Sequence, residues 1–123
     1  MRDGRVLLVQ HNNRLPENIG RWGLPGGRIE AADASPEAAL RREMREEFGI
    51  GLGPLTLLGD WPYRGRVHRV FAAAPDAEIT GWDPAEIRAI RWLWAAEIPT
   101  LPLHTGFEVD AVSRVPGLPS GPP

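Results

Sequence analysis

The strongest constraint on this chain is a helix whose two ends are marked by its residues and whose flank is loaded with acid. Ser35-Pro36 opens it, because serine is a good N-cap and proline is favoured at the first helical position. Gly49 is placed to close it as the glycine just past the last turn. Between them Leu40, Met44 and Phe48 recur every fourth residue and Ala39 widens the stripe, so Pro36–Phe48 is predicted as a helix with one apolar face. Another side carries Glu43, Glu46 and Glu47, at helical spacings that bring them together. Three neighbouring carboxylates repel, which is costly unless solvent or a cation offsets it. Oxygen-only ligation suits Mg2+, or Mn2+ in its place, and not Zn2+. Arg42, one turn before Glu46, can orient that carboxylate through a forked hydrogen bond. The plainer alternative is a solvated helix face lined with surface ion pairs.

The rest of the chain is read around this helix. Arg5–Gln10 is an apolar, strand-like run. Asp3-Gly4 before it is a hairpin-turn dipeptide with only two residues upstream, so it is either a plain start or the mark of a missing strand. His11–Gly20 reads as loop. In Arg21-Trp22-Gly23-Leu24-Pro25-Gly26-Gly27-Arg28, the clustered Pro and Gly demand a tight backbone path that continues to Ala34. After the helix, Leu55–Leu58, Arg66–Ala74 and Ile90–Trp94 read as strands, with Ala77–Thr80 a weaker candidate. Ala95–His104 reads as a loop or short turn, and Thr105–Val112 as a helix of about two turns. Ser113–Pro123 holds six Pro or Gly and is expected to be a flexible tail, which leaves residues 1–112 as one domain.

Composition excludes several classes. The 123 residues suit a single domain with its own core. The absence of Cys excludes a disulfide scaffold, a thiolate metal site and a cysteine nucleophile. A formal net charge of −2 argues against a binder of nucleic-acid polymers. No apolar run reaches the ~20 residues of a membrane span, and none has signal-peptide character, so a cytoplasmic protein is expected. All 14 cationic side chains are Arg, which is associated with a GC-rich, bacterial genome and also supplies donors suited to phosphates.

Arg42-Glu43-Met44-Arg45-Glu46-Glu47-Phe48-Gly49-Ile50 resembles the second half of the signature of the Nudix (MutT-like) hydrolases at every fixed position. Trp22-Gly23-Leu24-Pro25-Gly26-Gly27 is similar to that family's lead-in, and Ile90-Arg91-Trp92-Leu93 to the strand that follows its box. The spacing from Gly27 to Arg42 is one residue longer than in the family, and Asp33 stands where the signature has its first glutamate. The resemblance implies a mixed β-sheet sandwiched between helices, an α/β/α fold. It implies Mg2+-dependent hydrolysis of a nucleoside diphosphate linked to another moiety, by attack of an activated water on the pyrophosphate. Glu46, Glu47 and the Gly27 carbonyl are then metal ligands, Glu43 is a ligand or the general base, and Arg42 orients its neighbours.

Weaker candidates lie outside the box. Glu86 is a candidate distant base or ligand, ahead of Glu97 and Glu108. Arg28 is a candidate phosphate contact. Trp22, Trp61 and Tyr63 are candidates for stacking on a base, with burial in the core as the alternative for each. His11, His68 and His104 lack metal-like spacing and take no role. Gly59-Asp60-Trp61-Pro62-Tyr63 matches only the Trp-Pro-aromatic part of the family's NADH-type marker, and Pro62 and Tyr63 stand too near Ile50 for its other substrate markers. Relatives carry a strand ahead of Asp3-Gly4, so an uncovered sheet edge is expected to produce a homodimer or a marginally stable chain. The alternative function is a non-catalytic nucleotide-binding or regulatory module.

Overall fold

The structure is a computed structural model that describes residues 1–12, 15–26 and 29–123. Strand β1, Val6–His11, organises it. Val6, Leu7, Leu8 and Val9 are all buried, so the strand is covered on both faces. Successive side chains point to opposite sides. Val6 and Leu8 join Trp22, Leu93, Ile98 and Val112 in one cluster. Leu7 and Val9 join Met44, Phe48, Ile50 and Ile87 in the other. The second cluster is closed by helix α1, Pro36–Phe48. The first is closed by a 3₁₀ turn, Ala95–Thr100, and by the later helix α2, Glu108–Ser113. Helix, sheet and helix are thereby layered as the sequence implies.

Strands β2 (Thr56–Tyr63), β3 (Arg66–Ala72) and β4 (Ile87–Leu93) complete the regular pairing. β1 pairs antiparallel with β4, and β2 with β3. The strip at Trp22-Gly23 adds a mixed character: Gly23 bridges antiparallel to Val9, and Trp22 bridges parallel to Leu103. Among the described residues no helix is long and apolar enough to cross a membrane.

α1 ends where its residues say. Ser35 Oγ accepts from Ala38 N at 3.1 Å, Pro36 occupies the first turn, and Gly49 stands at φ 67° with its N–H on Arg45 O. Asp3-Gly4 forms a turn with both φ positive, and Arg2 and Arg5 exchange two backbone bonds of 3.0 Å across it, so the hairpin signal was real. The Met1 ammonium donates to Ala73 O at 2.7 Å, which ties this turn to the end of β3.

Several expected boundaries are corrected. β2 does not stop at Leu58 but runs to Tyr63, because Arg64-Gly65 makes a second turn with both φ positive that closes a β2–β3 hairpin. β3 ends at Ala72 rather than Ala74. Ala77–Thr80 is not a strand, and β4 spans Ile87–Leu93 rather than Ile90–Trp94, leaving Trp94 under the Arg5 guanidinium. α2 begins at Glu108, since Thr105-Gly106 is spent on the turn before it. The expected tail begins within α2, and beyond it Leu118 packs on the first cluster while Ser120 O accepts from Ala96 N at 2.9 Å.

The burial pattern orders two substitutions. Leu8→Ala, at a side chain fully buried between the layers, is expected to cost about 2–5 kcal/mol. Ser35→Ala, which removes only the cap, is expected to cost about 0.5–2 kcal/mol. Urea unfolding of both variants checks the order; a larger loss for Ser35→Ala contradicts it.

Candidate active site

α1 presents its carboxylates beside an arginine that is held from outside the helix. Arg42 Nε and Nη2 donate to Asp33 Oδ1 and Oδ2 at 2.8 and 3.0 Å. The Asp33 carboxylate also accepts from Glu30 N at 2.7 Å. The Arg42 pairing, then the Glu30 N–H, hold Asp33 below the usual carboxylate range, and Asp33 in turn raises Arg42. The position one residue out of step with the family spacing is therefore filled. From the loop before the Ser35 cap, the aspartate reaches the guanidinium with both carboxylate oxygens.

The same guanidinium touches the acidic face. Arg42 Nη2 lies 3.1 Å from Glu43 Oε1, and Arg42 Nη1 donates to Glu46 Oε2 at 3.0 Å. Glu46 is largely exposed, whereas Glu43 is mostly covered and Glu47 is buried. Glu47 Oε2 has no hydrogen-bond partner. Burial, followed by the charge and hydrogen bond of Glu43 and the charges of Glu86 and Glu46, pushes the Glu47 carboxyl up to about 8. A buried, unpartnered oxygen beside two further carboxylates is the donor chemistry that a hard divalent cation satisfies. Among the described residues no three acidic or imidazole groups stand in a finished ligating cluster, with Glu46 drawn toward Arg42.

Glu86 reaches this region by a route that is clear only in three dimensions. Asp83 N donates to Glu47 O at 2.8 Å, Glu86 N to Asp83 O at 3.1 Å, and Asn12 N to Glu86 O at 2.9 Å. The loop is thus pinned to the end of α1 and to β1, which brings the Glu86 charge onto Glu47. Asp83 and Asn12 were missed as positioning residues; the Asp83-Pro84 turn was the available signal.

Other candidates are placed elsewhere. Gly27 and Arg28 lie outside the described residues. Trp22, for which stacking on a base and burial in the core were the two readings, is buried in the first cluster, and its strip bridges to Leu103. Trp61 is likewise buried; it stacks on Phe107 and donates to Asp110 Oδ2 at 2.8 Å. Glu97 is a cap, accepting from Trp94 N at 2.9 Å, and Glu108 is buried beside α2. The three histidines, distant in sequence, form one chain of ring contacts. His104 lies 6.2 Å from His11 and 5.7 Å from Tyr63, and Tyr63 lies 5.8 Å from His68. Burial first, then neighbouring cationic groups, lowers His68 and His104.

Fold and acidic helix together are those of a MutT-like hydrolase. The structure of the MutT NUDIX hydrolase from Burkholderia pseudomallei is 35% identical, with a TM-score of 0.77 over 94% of this chain and 91% of that one. The NUDIX domain family matches residues 1–113, and the chain belongs to that family. A Mycobacterium tuberculosis relative named "Putative 8-oxo-dGTP diphosphatase 2" is 33% identical over 127 residues, covering 93% of this chain and 84% of the relative. An RNA pyrophosphohydrolase of Gluconacetobacter diazotrophicus is 31% identical over 134 residues, covering 87% and 78%.

The raised Glu47 has a thermodynamic consequence. Its folded value, about 8, lies above its ordinary 4.5, so the folded state keeps a proton that the unfolded chain releases. Metal-free stability contributed by this group therefore falls as pH rises from about 4.5 to about 8. Melting temperatures in chelator at pH 5, 6.5 and 8 are expected to drop more steeply for the native chain than for Glu47→Gln. Parallel curves contradict the assignment.

Proposed function

We propose that this chain is a divalent-metal-dependent pyrophosphohydrolase of a nucleoside diphosphate derivative, with Mg2+ as the metal and Mn2+ able to replace it. The observation that carries the reading is the acidic face of α1, where Glu47 buries an oxygen with no partner beside Glu43 and Glu46. Glu46, Glu47 and the Gly27 carbonyl would hold the metal. When bound, a divalent cation neutralises the pyrophosphate and lowers the pKa of the attacking water. The chain's own side chains supply the rest. Arg42, fixed by Asp33, holds Glu43 and Glu46 in place. Glu43 serves as a further ligand or accepts the proton of the water that attacks phosphorus as the bridging P–O bond breaks. Glu86 adds negative charge near Glu47. Arg28, following the glycine turn in sequence, is a candidate phosphate contact.

The substrate tested first is 8-oxo-dGTP, on the strength of the Mycobacterium relative's name. A 5′-triphosphorylated RNA belongs in the same panel because of the Gluconacetobacter relative, although the chain's net charge of −2 disfavours polymer binding. With Mg2+, one nucleotide is expected to be hydrolysed to a monophosphate and a phosphate product. Glu46→Gln is expected to lower kcat by about 100-fold or more, and Arg42→Ala by about 10–100-fold. Chromatographic product analysis with and without chelator checks this. Turnover that survives both chelator and Glu46→Gln contradicts the mechanism. Absence of turnover across the panel, with metal binding retained, favours a non-catalytic nucleotide-binding module.

A further inference from the structure

Glu108 takes no part in the acidic face of α1, yet it is a fully buried ionisable side chain. Its carboxylate is committed to the turn just before α2. Oε2 accepts from Thr105 N at 3.0 Å and from Thr105 Oγ1 at 2.7 Å, and Oε1 accepts from Gly106 N at 2.8 Å. Thr105 Oγ1 in turn accepts from Phe107 N at 3.2 Å. A carboxylate receiving several donors is stable without a cation, and it fixes the backbone that supplies them.

That backbone lies along the strip Trp22–Leu24. His104 N donates to Trp22 O at 2.8 Å, and Trp22 N donates to Pro102 O at 2.8 Å. Across the strip, Gly23 exchanges bonds of 2.8 and 2.9 Å with Val9. Gly23 packs directly on the turn: a β-carbon there would lie 3.2 Å from His104 Cβ and 3.7 Å from Glu108 Oε2. His11 Nε2 lies 3.2 Å from Leu24 O, so the other side of the strip is tied to β1 as well. The strip then passes through Pro25 to Gly26, which stands beside Leu40 of α1.

We propose that Glu108 is a positioning residue of the hydrolase: its buried carboxylate shapes the 104–106 turn, and that turn sets the Trp22–Leu24 strip that carries Gly26 to its place beside Leu40 of α1. Only the kinetic consequence rests on the proposed reading of the α1 site.

The test compares Glu108→Gln and Thr105→Val with Thr105→Ser and with Val112→Ala, a core change in the same helix. Glutamine keeps the shape of Glu108 but turns an amide toward donors. Hydrogen exchange of the 123-residue chain, free of metal and nucleotide, is read first. The Trp22 and Gly23 amides are expected to exchange about tenfold faster in Glu108→Gln and Thr105→Val. Thr105→Ser, which keeps the hydroxyl, is expected to restore the native rate. In hydrolysis assays, Glu108→Gln is expected to lower kcat and raise half-saturating Mg2+ by about tenfold each, with nucleotide KM little changed. Val112→Ala is expected to lose stability without either effect. If Glu108→Gln does not fold, the Thr105 pair carries the exchange test. Exchange in the strip that matches Val112→Ala overturns the proposal. A native chain that hydrolyses no nucleotide overturns the reading of the α1 site and leaves the exchange result to decide the role of Glu108.

Discussion

The pairing of Arg42 with Asp33 is the interaction on which the site depends. α1 places Glu43, Glu46 and Glu47 within a turn of one another, and such a surface resists its own assembly. Arg42 counters this from within the helix, contacting Glu43 and Glu46 with the same guanidinium that Asp33 holds in two bonds. The loop carboxylate therefore decides where the helix arginine points, and the arginine decides where the glutamates stand. Glu47, left outside this exchange, carries the residual cost as a buried oxygen without a partner. Local strain of this kind is retained where a ligand relieves it.

The scaffold makes that arrangement affordable by burying β1 on both faces. Leu7 and Val9 pack against Met44 and Phe48 of α1, so the apolar side of the helix faces the sheet while Glu46 stays largely exposed. Val6 and Leu8 pack toward Trp22, Ile98 and Val112. One strand thus ties the acidic helix on one face to the glycine strip and α2 on the other. The loop that brings Glu86 near Glu47 is anchored through Asp83 to the end of α1 and through Asn12 to the residue after β1.

Features encoded by neighbours in sequence were legible beforehand. The bounds of α1 follow from Ser35, Pro36 and Gly49, and its apolar stripe follows from residues one turn apart. Arg42 and the glutamates were legible for the same reason, because helix geometry alone brings them together. β2 runs past Leu58 because the Arg64-Gly65 turn extends the hairpin, a signal that acts only once β3 pairs. Trp22 could be a stacking ring or a core ring until the parallel bridge to Leu103 settled its surroundings. The histidine contacts and the Glu108 turn join segments tens of residues apart, and no local pattern announces them.

A divalent cation bound at the acidic face of α1 is expected to displace the proton held on Glu47. Isothermal titration of the chelator-treated chain with Mn2+ at pH 7, in buffers of differing ionisation enthalpy, measures both binding and proton release. The account predicts saturable binding accompanied by release of close to one proton, with the release lost in Glu47→Gln. Binding without proton release, or no binding in the native chain, would contradict it.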